Sequence, residues 1–225
     1  MARKESSEAS DVYKRQLGGI ALDEEVGGLN VSAVKATANM GGRIVRMPTY
    51  SAKADRETKG LDGGITILDS SGSLVPEVHS ILEVIKSHDM VVATGHISTA
   101  ESKALVSEAR NMGIERVVVT HGTTMSFWTG MTVEDMKELA GMGAYIEHCL
   151  HVVMPTTHRL DPKDLANTIK EIGPDKCILS TDFGQDLHPI PGQGIRMGIP
   201  TTPLSPNHTL RCRHTLPYRT VRRLS

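Results

Sequence analysis

The stretch Cys177-Ile178-Leu179-Ser180-Thr181-Asp182-Phe183-Gly184-Gln185 decides the reading of this chain. An apolar run climbs to a carboxylate and then breaks at a glycine, which predicts a buried strand that delivers Asp182 to the rim of a sheet. Two earlier runs end the same way in histidines, Val91-Val92-Ala93-Thr94-Gly95-His96 and Val117-Val118-Val119-Thr120-His121. A fourth, Ala144-Tyr145-Ile146-Glu147, leads to His148. From His96 to Asp182 these ends recur about every 25–35 residues, the length of one strand–loop–helix unit.

Outward from these runs, strands alternate with helices. Short strands are predicted at Leu17–Leu22 and Arg43–Met47, and helices at Leu29–Met40 and at Pro76 to Lys86, the latter with proline in its first turn. Ser98-Thr99-Ala100-Glu101 is a capping box that opens a helix running to about Met112, with Gly113 as the stop. Thr132-Val133-Glu134-Asp135 opens another helix, and Pro162–Ile172 a further one. The strands are short, rich in valine and isoleucine, and not cleanly alternating, as parallel strands buried on both faces are. Residues 64–75 read as a small β-hairpin inserted after the Arg43–Met47 strand, where insertions shape substrate sites.

A closed (β/α)8 barrel needs about 250 residues and eight units, and six strands are visible between residues 17 and 199. The expected fold is therefore α/β, either an open doubly wound sheet or a TIM-barrel-like arrangement short of two units. Candidate ligands spread over consecutive strand ends favour the barrel, because an open sheet gathers its site at one switch point. No G-x-G-x-x-G follows a strand, which excludes a dinucleotide fingerprint. Residues 1–16 are polar and without hydrophobic period, and residues 200–225 form a basic, proline-containing tail; both are expected to be disordered.

Composition narrows the function. A net charge of −1 and 3% aromatic residues give no case for nucleic acid, and no apolar run is long enough to span a membrane. Cys149, Cys177 and Cys212 form no C-x-x-C pair, which argues for reduced thiols in the cytoplasm and against a thiolate zinc site. Imidazoles and a carboxylate suit zinc, with manganese or iron as the other candidates. On this reading His96, His121 and Asp182 hold a divalent metal, and Asp182 also accepts the proton of activated water. Glu147 and His148 are strand neighbours, so one of them faces the pocket. Trp128, beside Phe127, is a candidate pocket wall, and Arg196 a candidate partner for an anionic group on a small-molecule substrate. His79 and His88 belong to a helix and its end, where surface histidines are ordinary.

The motifs TGHIS, VVVTHG and STDFGQ together resemble the amidohydrolase superfamily of metal-dependent hydrolases, with Gly27-Gly28-Leu29-Asn30 and Met47-Pro48-Thr49 pointing to an uncharacterised branch of it. The resemblance implies a TIM barrel, metal ligation by His96, His121 and Asp182, and cleavage of an amide, ester or related bond by metal-activated water. It also implies an H-x-H pair on the first strand, and this chain contains none. The first two units are then expected upstream of Gly18 and activity is expected to be impaired. The alternatives are a non-catalytic barrel fragment with no or weak metal binding, which would self-associate through exposed sheet edges, and a PHP-like phosphoesterase.

Overall fold

A computed structural model of the chain describes residues 17–124, 129–157, 159–184 and 188–201. Six strands form one sheet: β1 (Gly19–Ala21), β2 (Ile44–Arg46), β3 (Val91–Ala93), β4 (Val117–Val119), β5 (Tyr145–Cys149) and β6 (Cys177–Ser180). Every neighbouring pair is parallel, and the order across the sheet is the order along the chain. A doubly wound sheet reverses its strand order at a switch point; this one never does. Consecutive right-handed crossovers then place every connecting helix on the same face.

The packing shows the consequence. Val45, Val92, Val117, Val119 and Ile146 join one core with buried residues of α1 (Val31–Asn39), α3 (Pro76–Ser87), α4 (Thr99–Asn111) and α5 (Val133–Gly141). Leu179 and Leu150 pack with Leu165 and Ile169 of α6 (Pro162–Ile172). The opposite face carries Val91, Ala93 and Val118, against which Ile44 and Ile178 pack, with no helix residue among them. The fold is α/β with a barrel-like winding, and the sheet is not closed: β1 and β6 each have a single strand neighbour among the described residues.

Local chemistry sets the boundaries. Asn30 caps α1 by accepting the Ala33 N–H at 3.1 Å. Ser98 and Glu101 form the expected reciprocal cap of α4, and Thr132 with Asp135 does the same for α5. The predicted hairpin is narrow: Leu68 bridges Leu74, and Val75 N–H donates to the Ile67 carbonyl at 3.0 Å. Glu101, only 5% exposed, ties it down. One carboxylate oxygen takes Ile67 N–H at 2.9 Å and the Thr66 hydroxyl at 2.6 Å. The other takes Ser98 N–H and hydroxyl at 2.8 and 2.7 Å. The capping glutamate thus also fixes the inserted loop at the carboxyl end of the sheet.

Two short elements escape the sequence pattern, α2 (Lys53–Thr58) and α7 (Pro191–Thr201). The lead at 1–16 and the tail beyond residue 201 lie outside the described residues. No helix among those described is long and apolar enough to cross a membrane.

Candidate metal centre

Three of the strand ends bend sharply, and the candidate ligands sit at or beside the bends. Gly95, His121 and Asp182 have φ of 62°, 56° and 55°. A left-handed backbone is ordinary for glycine but costs other residues of order 1 kcal/mol, and such strain collects at functional sites. A Cβ on Gly95 would stand 2.2 Å from the Met47 carbonyl oxygen. Only glycine therefore lets β3 pass β2 closely enough to deliver His96, whose N–H donates to the Pro48 carbonyl at 2.9 Å.

The turns bring His121, Cys149 and Asp182 together. One ligand atom from each lies within 4.8 Å of the others. His121 Nδ1 is 2.9 Å from Cys149 Sγ, which lies 3.2 Å from Ser180 Oγ. Burial pushes the Cys149 thiol well above its usual range, with the Glu147 carboxylate adding to the effect. The metal-free protein therefore holds a neutral thiol at pH 7.

The donor set fits a divalent ion. A nitrogen at about 2.0 Å, a sulfur at about 2.3 Å and an oxygen at about 2.1 Å around a tetrahedral zinc stand roughly 3.3–3.6 Å apart, which the 4.8 Å envelope accommodates. A cation also answers the electrostatics, since it would stabilise the thiolate that burial and Glu147 oppose.

Cys149 is not among the ligands expected from the sequence, since it has no C-x-x-C partner. The sheet register nevertheless brings it to the candidate site: Cys149 ends β5 opposite Ser180 of β6. The available signal was strand parity. In Tyr145–Cys149 alternate side chains share a face, so whatever turns Glu147 toward the site turns Cys149 there as well.

His96 stands beside the trio and is not one of its members. Its ring is 5.4 Å from that of His121, and its Nδ1 lies 3.2 Å from Asp55 Oδ1 of α2. Both side chains are almost fully buried, and the other Asp55 oxygen pairs with Lys59. Burial, and then the His121 charge, lower the His96 pKa despite Asp55, so the ring is neutral near pH 7.

The remaining candidates separate cleanly. Glu147 faces the site, its Oε2 3.9 Å from His121 Nδ1. His148, next to it, points the other way: it is fully buried, in register with Leu179, the β6 residue that packs against α6. Burial alone lowers its pKa to about 4, and Thr123 Oγ1 at 3.4 Å is its nearest polar partner. Its placement as a substrate contact is therefore corrected to the helix-facing core. Arg196 is exposed on α7 and makes no hydrogen bond or ion pair among the described residues. Trp128, Phe127 and His158 lie outside them. His151 and His188 flank Asp182: His151 N–H donates to the Thr181 carbonyl at 3.0 Å, and the two rings approach to 3.4 Å, Nδ1 to Nε2. His79 pairs with Glu108 on the surface and His88 Nδ1 meets the Val84 carbonyl, the ordinary helix roles expected of them.

Fold and site together define a class, a parallel α/β protein with barrel-like winding and a His–Cys–Asp group at the carboxyl ends of its strands. The chain belongs to a family of unknown function, DUF6282, whose model matches residues 5–147. That match takes in His96 and His121 and stops short of Cys149 and Asp182. No curated protein and no solved structure matches the chain.

Proposed function

We propose that the protein is a metal-dependent hydrolase, with zinc held by His121, Cys149 and Asp182, that cleaves an amide, ester or related C–N or C–O bond. The observation that carries this reading is the convergence of an imidazole, a thiol and a carboxylate from three different strand ends within 4.8 Å. Thiolate with imidazole selects zinc over manganese, which prefers an all-oxygen set. Zinc bound by three protein ligands supplies Lewis acidity and lowers the pKa of water to about 7.

The chain's own groups supply the rest. Asp182 has two carboxylate oxygens and a strained backbone that aims them inward from an exposed turn; one holds the ion and the second takes a proton and returns it to the leaving group. Asp55 holds His96 by Nδ1 and so fixes its ring beside His121 at the rim of the site. Glu147 places a carboxylate 3.9 Å from His121 Nδ1, on the side of the ring that faces Cys149.

The same atoms could instead serve a Cys149–His121 nucleophilic pair. Full burial and the neighbouring carboxylate keep the sulfur protonated, the opposite of what a nucleophilic thiol needs, so the metal reading is preferred. A panel of nitrophenyl esters and nitroanilides, assayed with chelator and then with added zinc, tests the proposal. Zinc-dependent turnover abolished by Asp182→Asn is the expected result; turnover insensitive to chelator and to Asp182→Asn refutes it.

A further inference from the structure

The inner face of the sheet holds an arginine that stability does not explain. Arg46 ends β2 and pairs in register with Ala21 on one side and Ala93 on the other. Two residues earlier Ile44 joins the inner-face cluster, so strand parity puts Arg46 on that face as well. The flanking alanines leave room around its long side chain. The residue is half-buried, yet its side chain makes no hydrogen bond or ion pair among the described residues. By contrast Arg116, the buried arginine of the β4 approach, is clamped by Asp89 at 2.6 Å. A guanidinium drawn partly out of water without a partner opposes folding. As the last residue of β2, Arg46 stands at the carboxyl edge of the parallel sheet, the edge at which Cys149 ends β5.

Resting on the hydrolase reading above, we propose that Arg46 is the specificity residue of this site and that the substrate is a monoanion whose carboxylate it takes in a bidentate fork. The planar guanidinium matches a carboxylate's two oxygens. A single guanidinium suits one negative charge better than the two of a phosphate monoester. The carboxylate thereby anchors the end of the substrate that does not react, and the bond to be broken lies toward His121 and Asp182.

The test uses the full chain, zinc-loaded and chelator-treated, with N-acetylglycine, its neutral analogue N-acetylglycinamide, and inorganic phosphate, by calorimetry or chemical-shift titration. The expected result is that the carboxylate binds at least about tenfold tighter than the amide and tighter than phosphate in both metal states. Arg46→Met removes the preference and Arg46→Lys keeps part of it. Equal binding of acid and amide, no binding of either, tighter binding of phosphate, or an unchanged preference in Arg46→Met each overturns the proposal. Zinc content measured on the same samples separates the two ideas. A chain without zinc that still prefers the carboxylate through Arg46 sinks the hydrolase reading alone. A zinc-bearing chain without the preference sinks only this one. Should Arg46→Met fail to fold, Arg46→Gln and the wild-type comparison decide.

Discussion

The buried His148 offers a quantitative check on which face of β5 looks at the site. Its ring lies among the helix-facing core, and burial takes its pKa from 6.5 to about 4. An unfolded chain protonates this histidine near its ordinary value, while the folded chain refuses the proton until the pH is far lower. Between those two pH values the unfolded state binds more protons, so acid favours unfolding. The stability is fully present above pH 6.5 and drains as the pH falls toward 4. At about 1.4 kcal/mol per pH unit, roughly 2 kcal/mol is lost by pH 5 and roughly 3 kcal/mol by pH 4 from this one group. His148→Leu removes the titration and keeps an apolar side chain in the core. Urea unfolding followed by circular dichroism, at several pH values from 7 to 4 and with chelator throughout, measures both proteins. The variant should lose less stability than the wild type over that range, by roughly 2–3 kcal/mol. Parallel curves for the two proteins would mean that His148 reaches water, and the assignment of Glu147 and Cys149 to the site face would fall with it.

Three further outcomes follow from the geometry. Glu101→Ala removes a buried carboxylate with four hydrogen bonds that joins α4 to the inserted hairpin, and should cost about 3 kcal/mol in chemical denaturation, whereas Ser98→Ala, which loses the cap and one of those four bonds, should cost about 1 kcal/mol. Gly95→Ala drives a Cβ to 2.2 Å from the Met47 carbonyl at a φ of 62°; thermal unfolding should report a loss above about 2 kcal/mol. Because Cys149 is a neutral thiol in the metal-free protein, zinc uptake should release about one proton near pH 7 and tighten as the pH rises. Calorimetry in buffers of different ionisation enthalpy reads that proton directly, and an enthalpy independent of buffer would contradict a thiolate ligand.

Much of the architecture is legible in the sequence because it rests on local rules. The capping boxes at Ser98 and Thr132 name the starts of α4 and α5, and Pro162 with Gly173 brackets α6. Uninterrupted valine runs announce strands covered on both faces, and the ordered sheet β1 to β6 agrees with the barrel-like alternative over the doubly wound one. The strands are shorter than the apolar runs that encode them, because Leu22, Met47 and Thr94 continue past the last paired residue into the turns at the rim. The short α2 has no apolar period to betray it; Asp55 is there for what it does to His96 across the molecule.

The candidate site is only partly legible, and the reason is the same one. His121 and Asp182 announce themselves because they end apolar runs. Cys149 follows Glu147 and His148, and its value as a ligand arises from its neighbours on β4 and β6, contacts that no spacing rule within one strand reveals. His148 looks like its fellow strand-end histidines and differs only in parity, since β5 runs on to Cys149 before it ends. Arg46 sits in an ordinary-looking strand, and only the alanines beside it in the sheet mark it out.

The metal group itself is tested most directly by titrating the purified, metal-stripped chain with cobalt(II), a spectroscopic stand-in for zinc, and following the sulfur-to-cobalt charge-transfer band. The account predicts a band that saturates at one equivalent, persists in Cys177→Ser and Cys212→Ser, and vanishes in Cys149→Ser. Absence of the band in the wild-type protein, or its survival in Cys149→Ser, would contradict a centre built from His121, Cys149 and Asp182.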